Sequence, residues 1–346
     1  ARLFCILKEG VCRHMTPVLQ CVISGLLMGG IYALVSVGLT LIFGIVELVN
    51  FSHADYLMVA MYVAYGLFTF FGVDPYLSLP IVVLFMAAFG YAVYQLTLKR
   101  VLHKKHEIQI MATLSMMLVL QNLALMIFKA DYRSVRTAYV SSVLHLGPIT
   151  VTVPRLVAFI VSIAVCLAVY FFLTKTYTGT SMRAISQNNK AAQLMGIKLE
   201  KTYCFTFVLG IAMTGIAACV LVPIYSVYPT VGSTLMLPAF VVVVIGGLSS
   251  IPGALIAGLL VGVVESLSAY FLAACLLCAV YSGDSPQARG NPGQKEERSL
   301  ITMKHQNSIP VLLLKHARWV VIALLFLVSM CVSGKYTQEI FVQLFL

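Results

Sequence analysis

Polar and ionisable side chains interrupt an otherwise apolar part of the sequence at residues 45–58, IVELVNFSHADYLM. At membrane depth such groups are costly unless they are paired or hydrated. They could line a pathway for a polar solute or relay protons. They could equally form a structural turn in which Asn50, Ser52 and Asp55 cap the next helix. The sequence leaves both interpretations open. The candidate residues are Glu47, Asn50, Ser52, His53 and Asp55.

Other groups with potential chemistry are few. Glu265 is a single carboxylate in the apolar run 254–272, and it is interpreted either as a pathway residue or as a hydrogen-bonding partner of a neighbouring helix. Cys275 and Cys278 form a C-x-x-C pair, but no second Cys or His pair follows at the spacing of a zinc site. The chain contains no Gly-x-x-x-x-Gly-Lys-Ser/Thr phosphate-binding loop. We therefore expect no enzyme active site, metal or cofactor on this chain, and any ATP must be bound by other polypeptides.

The composition places the chain in the membrane class. Of its 346 residues, 60% are hydrophobic and only 10% are charged, whereas soluble domains carry about 25% charged residues. The net charge of +11 does not indicate binding to nucleic acid, because the basic residues lie in loops between apolar runs. Basic loops of this kind orient a protein in the membrane.

Eight apolar runs in the first 272 residues could account for membrane crossings, each of which takes about 20 residues. They are residues 18–46, 53–71, 77–98, 108–128, 156–173, 204–225, 237–245 with its flanks, and 254–272. A further apolar run, 319–332, stands apart. We predict an all-α polytopic membrane protein with about eight transmembrane helices, a cytoplasmic helix and one further apolar span near the C-terminus.

Glycines mark two irregular places within these spans. The first span carries five of them, which predicts close helix packing and permits bending beside a pathway. Gly, Ser and Pro residues at 246–253 predict a tight turn between the last two of the eight spans. The five glycines of the first span are Gly25, Gly29, Gly30, Gly38 and Gly44.

A polar loop at residues 174–203 separates two of the spans. Its Lys and Arg residues outnumber its single acid, Glu200, so we predict that it lies in the cytoplasm, together with the basic cluster at 99–105. Thr180 or Ser181 is predicted to cap a short helix, and Gly196 occupies the position of a C-terminal cap. A short helix beneath a membrane domain suits docking by a soluble partner.

Three motifs, in this order, resemble the membrane subunit of a branched-chain amino-acid ABC importer, the LivH type. They are GGIYALVSVGLTLIFGIVELVNFSHADYLM, TGTSMRAISQNNKAAQLMGIKLEK and IGGLSSIPGALIAGLLVGVVESLSAY. The resemblance covers residues 15–272 and implies that loop 174–203 couples the permease to ATPase subunits. The residues that match the family's loop pattern are Gly179, Arg183, Ala184, Ala191, Ala192, Leu194, Gly196 and Ile197.

The resemblance implies a translocation pathway driven by ATP hydrolysis on separate subunits. Its expected partners are two ABC ATPase subunits, a LivM-type second permease, an external amino-acid-binding protein and membrane lipid, in the bacterial cytoplasmic membrane. A branched-chain amino acid needs a cavity that is both apolar and polar, and Tyr32, Asn50, Ser52 and His53 are candidate lining residues. The alternative is an ATP-independent carrier or channel for small amino acids or amides, in which Glu47, Asp55 and Glu265 relay protons.

The two ends of the sequence depart from this pattern. Residues 1–14 precede the family-like start at Met15 and are interpreted as a non-native extension. Residues 273–302 form a polar linker, of which 282–299 has a composition typical of disorder. We interpret it as an out-of-frame segment; the alternative is a genuine C-terminal extension with an extra span. Residues 303–346 resemble the start of a LivM-type partner permease, cut off after its first span.

Overall fold

The computed structural model describes residues 2–283 except 136, 138, 141, 147 and 148; for 2–16, 146, 149 and 272–283 it describes the backbone alone. The elements follow in this order: α1 (Arg2–Val46), α2 (His53–Phe71), α3 (Leu79–Val93), a π-helical turn (Tyr94–Leu98), α4 (Lys99–Val101), α5 (His106–Phe128), β1 (Val143–Leu146), β2 (Ile149–Thr152), α6 (Val153–Lys175), α7 (Tyr177–Gln187), α8 (Asn189–Leu194), α9 (Leu199–Leu221), α10 (Val231–Gly246) and α11 (Ile251–Gly283).

The described helices confirm the predicted fold class. Seven helical stretches in this part of the chain are long and apolar enough to cross a membrane, and α10 is a shorter apolar helix. The loop 174–203 contains two short helices, α7 and α8, rather than the single helix that was predicted. The predicted span 319–332, with the rest of 284–346, lies outside the described residues. The seven stretches are Pro17–Val46, His53–Phe71, Leu79–Val101, His106–Phe128, Val153–Lys175, Leu199–Leu221 and Ile251–Phe271.

The chain divides into two compact units. One unit is Ile23–Val263, which contains most of the helices, the β1–β2 hairpin and the loop helices. The other consists of Ala1–Val22 and Val264–Leu346, of which the beginning of α1 and the end of α11 are described. Glu265 belongs to this second unit, whereas the polar run 45–58 belongs to the first.

Helix α1 is the centre of the larger unit. Every residue from 29 to 42 is buried, which is the environment of a helix that is apolar on all sides. In the most apolar stretch of each helix, 83% of the residues of α1 are buried, compared with only 17% of the residues of α5. Helix α5 therefore lies at the periphery, where its apolar side chains can face lipid.

Small residues bring α1 and α11 into close contact. Gly25, Gly29 and Ala33 recur every four residues on α1, and Gly258 and Gly262 do so on α11. A Cβ at Gly29 would lie 2.5 Å from the carbonyl oxygen of Gly258, and one at Gly258 would lie 2.7 Å from Ala33 Cβ. The predicted close packing of the first span is confirmed, because these backbones approach to a distance that only small residues permit.

Side-chain contacts identify two ends of the larger unit. At the basic end, defined by residues 99–105 and 176–200, Lys99 forms an ion pair with Glu200 (Nζ–Oε2 3.2 Å). At the hairpin end, defined by residues 72–78, 129–152 and 222–230, the Tyr139 hydroxyl donates to Asp74 Oδ1 over 2.8 Å. The ion pair places the cluster 99–105 beside the polar loop, as expected for two basic segments on one membrane side.

Tyrosines at the hairpin end are held in the protonated state. The rings of Tyr76 and Tyr139 stack with centroids 5.3 Å apart. Burial, assisted by the charge of Asp74, raises the pKa of Tyr76 to about 12, and burial also raises the pKa of Tyr139. Tyr139 therefore stays a hydrogen-bond donor to Asp74 at neutral pH, which ties loop 72–78 to the segment before the hairpin.

A methyl group at Gly38 is expected to destabilise the bundle. A Cβ at this position would lie 2.6 Å from the carbonyl oxygen of Gly210 and 3.1 Å from His53 Cε1. Overpacking of this kind costs about 1–3 kcal/mol, so Gly38→Ala should lower the midpoint of thermal unfolding in detergent. Gly66→Ala is the matched control, because a Cβ there meets no described atom within 4 Å. Equal midpoints for the two variants would contradict this close packing.

Candidate functional site

The polar run 45–58 forms a turn that folds back into the helical bundle. Helix α1 ends at Val46, and α2 begins with His53. The His53 ring packs on Gly38, and its Nε2 lies 3.3 Å from the carbonyl oxygen of Val35. Val35 lies eleven residues before the end of α1, about 16 Å along the helix axis. Gly38 also contacts Gly210, the middle residue of α9. Helix α2 therefore begins two to three turns before the end of α1 and beside the middle of α9, as a re-entrant turn would predict.

Asn50, Ser52, His53 and Tyr56 form a fully buried polar cluster at this turn. The Ser52 hydroxyl hydrogen-bonds to Asn50 Oδ1 (2.7 Å) and to the Tyr56 hydroxyl (2.8 Å). Ser52 occupies the N-cap position of α2 but makes no capping hydrogen bond, so the prediction that it caps this helix is wrong. Its hydroxyl bonds instead to the two neighbouring side chains.

Two polar atoms of the cluster have no hydrogen-bond partner among the described residues, Asn50 Nδ2 and His53 Nδ1. The contact of His53 Nε2 with the Val35 carbonyl oxygen requires the proton on Nε2, which leaves Nδ1 as an acceptor. The cluster therefore presents one unused donor and one unused acceptor. Buried polar atoms without partners are uncommon and call for an explanation.

Asp55 links α2 to two other helices. Gln121 Nε2 on α5 donates to Asp55 Oδ1 over 2.9 Å. A Cβ at Gly232, in the first turn of α10, would lie 2.9 Å from the same oxygen. Sequence reasoning missed Gln121; its available signal was a Gln–Asn pair in the middle of an otherwise apolar span. Asp55 thus ties the start of α2 to α5 by a hydrogen bond and packs against the first turn of α10.

The remaining pathway candidates belong to other segments of the chain. Tyr32 is buried in α1, and Glu47 is exposed directly after α1 with a positive φ of 56°. Glu265 is exposed on α11 in the other unit. The structure thus brings together four of the seven candidates, Asn50, Ser52, His53 and Asp55, and adds Tyr56 and Gln121 to them.

Helix α7 begins earlier than the sequence suggested. The expected cap at Thr180 or Ser181 is wrong, because the N-cap is Thr176, whose Oγ1 accepts from the backbone N–H of Gly179 over 3.1 Å. The hydroxyls of Thr180 and Ser181 instead donate to carbonyl oxygens one turn earlier in the chain. A Cβ at Gly179 would overlap the last turn of α6, so only glycine allows α7 to pack this closely on α6.

The end of α8 confirms the predicted role of Gly196. Its φ is +86°, a left-handed conformation that glycine adopts without strain. The backbone N–H of Gly196 donates to Gln193 (3.0 Å), and that of Ile197 donates to Ala192 (3.2 Å). This pair of bonds is the Schellman motif, which stops the helix and turns the chain toward α9.

The residues that match the family's loop pattern divide into an inward and an outward set. The inward set fixes the loop to the bundle, together with the buried Met182 and Ile185. The outward set is open to solvent. Gly179 and Ala192 are buried, Ala184 and Ile197 are half-buried, and Arg183, Ala191, Leu194 and Gly196 are exposed.

Large apolar side chains project from the same loop. Tyr177, Leu194 and Met195 are 84%, 89% and 84% exposed. Sequence reasoning selected only Leu194; the signal for the other two was an apolar residue beside a helix boundary in a polar loop. Arg183 is exposed as well, and its guanidinium forms no ion pair within the described part of the chain. The loop thus carries apolar and cationic groups that the bundle does not use.

Removing the hydroxyl of Thr176 is expected to loosen α7. Loss of an N-cap costs about 1 kcal/mol, so Thr176→Ala should speed amide hydrogen exchange across residues 177–187. Thr180→Ala is the matched control, since that hydroxyl is exposed and bonds only to a carbonyl of its own turn. Faster exchange in the control than in Thr176→Ala would show that the cap has been misplaced.

Comparison with known proteins finds relatives along most of the chain. The BraD branched-chain amino acid permease of Pseudomonas aeruginosa is 28% identical over 264 residues, which are 72% of this chain and 86% of BraD. The LivH permease of Salmonella typhimurium is 29% identical over 268 residues, 73% of this chain and 87% of LivH. A probable LivH of Methanocaldococcus jannaschii is 32% identical over 255 residues, 72% and 81% of the two chains.

No solved structure matches the chain. The family model described as "Branched-chain amino acid transport system / permease component" matches residues 21–289. This match includes the buried part of α1, the polar turn, the loop helices and α11. The chain therefore belongs to the family of permease components of the branched-chain amino acid transport system.

Proposed function

We propose that this protein is the translocation subunit of an ATP-driven importer for branched-chain amino acids in the bacterial cytoplasmic membrane. Its proposed partners are two ATPase subunits bound at loop 174–203, a second permease of the LivM type and an external binding protein. The names of its relatives BraD and LivH support the substrate class. Because the family consists of permease components, the chain is a transport subunit and not an enzyme.

The observation that carries the coupling proposal is the construction of the loop. Its inward residues fasten it to the bundle through the Thr176 cap, the close approach at Gly179 and the buried side chain of Met182. Its outward residues, Arg183 and Leu194 among them, have no role within the described bundle. A rigid element with an unused apolar and cationic surface suits a partner that must push on it.

A continuous path of packed residues leads from the loop to the polar cluster. Helix α7 packs on α6 and α9, and α9 packs on α2 and α3. Midway along α9, Gly210 contacts Gly38, which in turn carries the ring of His53. Movement of the loop would reach the polar turn through α9, because close-packed helices shift as rigid bodies.

The polar cluster is proposed as part of the substrate pathway. Asn50 Nδ2 and His53 Nδ1 are a donor and an acceptor without described partners, beside the middle of α9 and the last turns of α1. The carboxylate of an amino acid can accept a hydrogen bond from Asn50 Nδ2, and its ammonium group can donate one to His53 Nδ1. In this closed arrangement both atoms are buried, so the proposal requires the turn to open during transport. Tyr32, Glu47 and Glu265 stay pathway candidates from sequence.

The secondary-carrier alternative has less support. Of its three proposed proton-relay carboxylates, Asp55 accepts from the neutral amide of Gln121, and Glu47 is exposed at the end of α1. The well-anchored loop would have no purpose in a carrier that uses no ATPase. Family membership also favours the importer.

An acidic side chain in place of Arg183 or Leu194 on the loop surface is expected to release the ATPase subunits. In Arg183→Glu and Leu194→Glu, a tagged chain purified from native membranes should retain at least about tenfold less ATPase, because loss of an interfacial anchor costs about 2 kcal/mol or more. Lys190→Glu is the matched control, as it makes the same charge reversal at an exposed residue outside the family pattern. All three variants should insert equally. Full ATPase retention by Arg183→Glu and Leu194→Glu would refute coupling through this surface.

A further inference from the structure

A groove between α7 and the start of α9 is left open at the basic end. Its α7 wall consists of Tyr177, Thr178, Ser181 and Met182, and its lower rim is the Gly196–Ile197 turn. Its α9 wall is formed by Lys198, Lys201, Thr202 and Phe205. The groove combines ammonium groups, hydroxyls and an apolar floor in one open concavity.

The α9 wall is ordered along the helix axis. Residues 198, 201, 202 and 205 follow the spacing i, i+3, i+4 and i+7, which places them on one face. Seven residues separate Lys198 from Phe205, about 10 Å along the axis. Helix α9 is long and apolar enough to cross a membrane from Leu199 onward, so on this face the two lysines lie at the N-terminal end of the span and the aromatic ring of Phe205 lies further along it.

The apolar end of this face is open to lipid. Phe205 is 44% exposed, although it lies within a membrane-spanning helix. Its ring lies beside that of Phe172 on α6, with centroids 6.2 Å apart. The two rings offer a surface for an acyl chain directly below the ammonium groups.

The local charge of the groove is positive. Glu200, the acid between the two lysines, lies on another face of α9 and forms an ion pair with Lys99 at 3.2 Å. Lys198 is the N-cap of α9 and makes no side-chain capping bond, so the positive end of the helix dipole adds to the two ammonium groups. Among the described residues, no acidic side chain lines the groove.

We propose that this groove binds an anionic phospholipid of the membrane leaflet that adjoins the loop, with its phosphate on Lys198 and Lys201 and an acyl chain against Phe205. Thr178 and Thr202 also line the groove, but the Thr202 hydroxyl donates to the carbonyl oxygen of Lys198 (3.2 Å) and that of Thr178 lies 3.4 Å from Thr176 Oγ1, so the two lysines are the groups that bind the phosphate. Such a lipid would join the coupling helix α7 to α9 and so contribute to the stiffness of the coupling element. The assignment to the cytoplasmic leaflet, which is rich in anionic lipid, rests on the proposed orientation of the loop.

The test is native mass spectrometry of the full chain in mild detergent, titrated with palmitoyl-oleoyl phosphatidylglycerol. Lys198→Gln/Lys201→Gln should weaken lipid binding by about 30-fold, which corresponds to roughly 1 kcal/mol for each lysine. Phe205→Ala should also weaken it. The matched control is Lys104→Gln/Lys105→Gln, which removes two exposed lysines at the same end of the bundle and should bind as the unaltered chain does.

Three further results bear on the proposal. Weak binding of phosphatidylcholine, and no competition from glycerol 3-phosphate, would support a lipid rather than a free phosphate as the occupant. Unchanged phosphatidylglycerol binding in Lys198→Gln/Lys201→Gln would overturn the site. Loss of ATPase from that variant, with phosphatidylglycerol binding intact, would also overturn it and assign the groove to an acidic protein surface. Lipid binding is measured without ATPase, so its failure is distinct from failure of the coupling proposal.

Discussion

The packing of His53 on Gly38 determines how the polar part of this chain enters the bundle. Because Gly38 has no side chain, the imidazole ring fits between α1 and α9 while Gly38 still contacts the carbonyl of Gly210. The start of α2 is thereby held beside the middle of α9, eight residues before the end of α1, and residues 47–52 must fold back. Asn50, Ser52 and Asp55 are buried as a result, so the environment of every group in the cluster depends on this contact.

The loop helices are attached to the same framework by different means. A threonine cap, a glycine at a helix crossing and a Schellman turn fix α7 and α8 with local interactions. The buried side chains of Met182 and Ile185 then dock the loop onto the bundle. Local fixation leaves Arg183 and Leu194 on the outside, where they cannot serve the fold. An element that is anchored by its buried residues and leaves exposed side chains without partners is suited to transmitting a movement rather than performing chemistry.

Two kinds of polar group therefore occur in the described structure, and their burial distinguishes them. Those of the turn are inside the bundle and partly unsatisfied, which suits a site that is closed in this arrangement. Those of the loop lie on its solvent-exposed side, in the connection between α6 and α9. The Gly38–Gly210 crossing lies on the packing route between them, so the helix α9 that supports the loop also supports the turn.

Sequence alone was enough to predict the fold class, the eight apolar helices up to residue 272, the close packing of the glycines of α1, the turn before α11 and the left-handed end of α8. Each follows from local composition or from a single backbone requirement. It did not determine the Thr176 cap, because four other Ser and Thr residues in 174–181 offer equivalent local signals and packing of Gly179 on α6 selects among them. Nor could it pair Asp55 with Gln121, 66 positions away. Such partners are brought together by helix packing, which depends on contacts between residues that are distant in the chain.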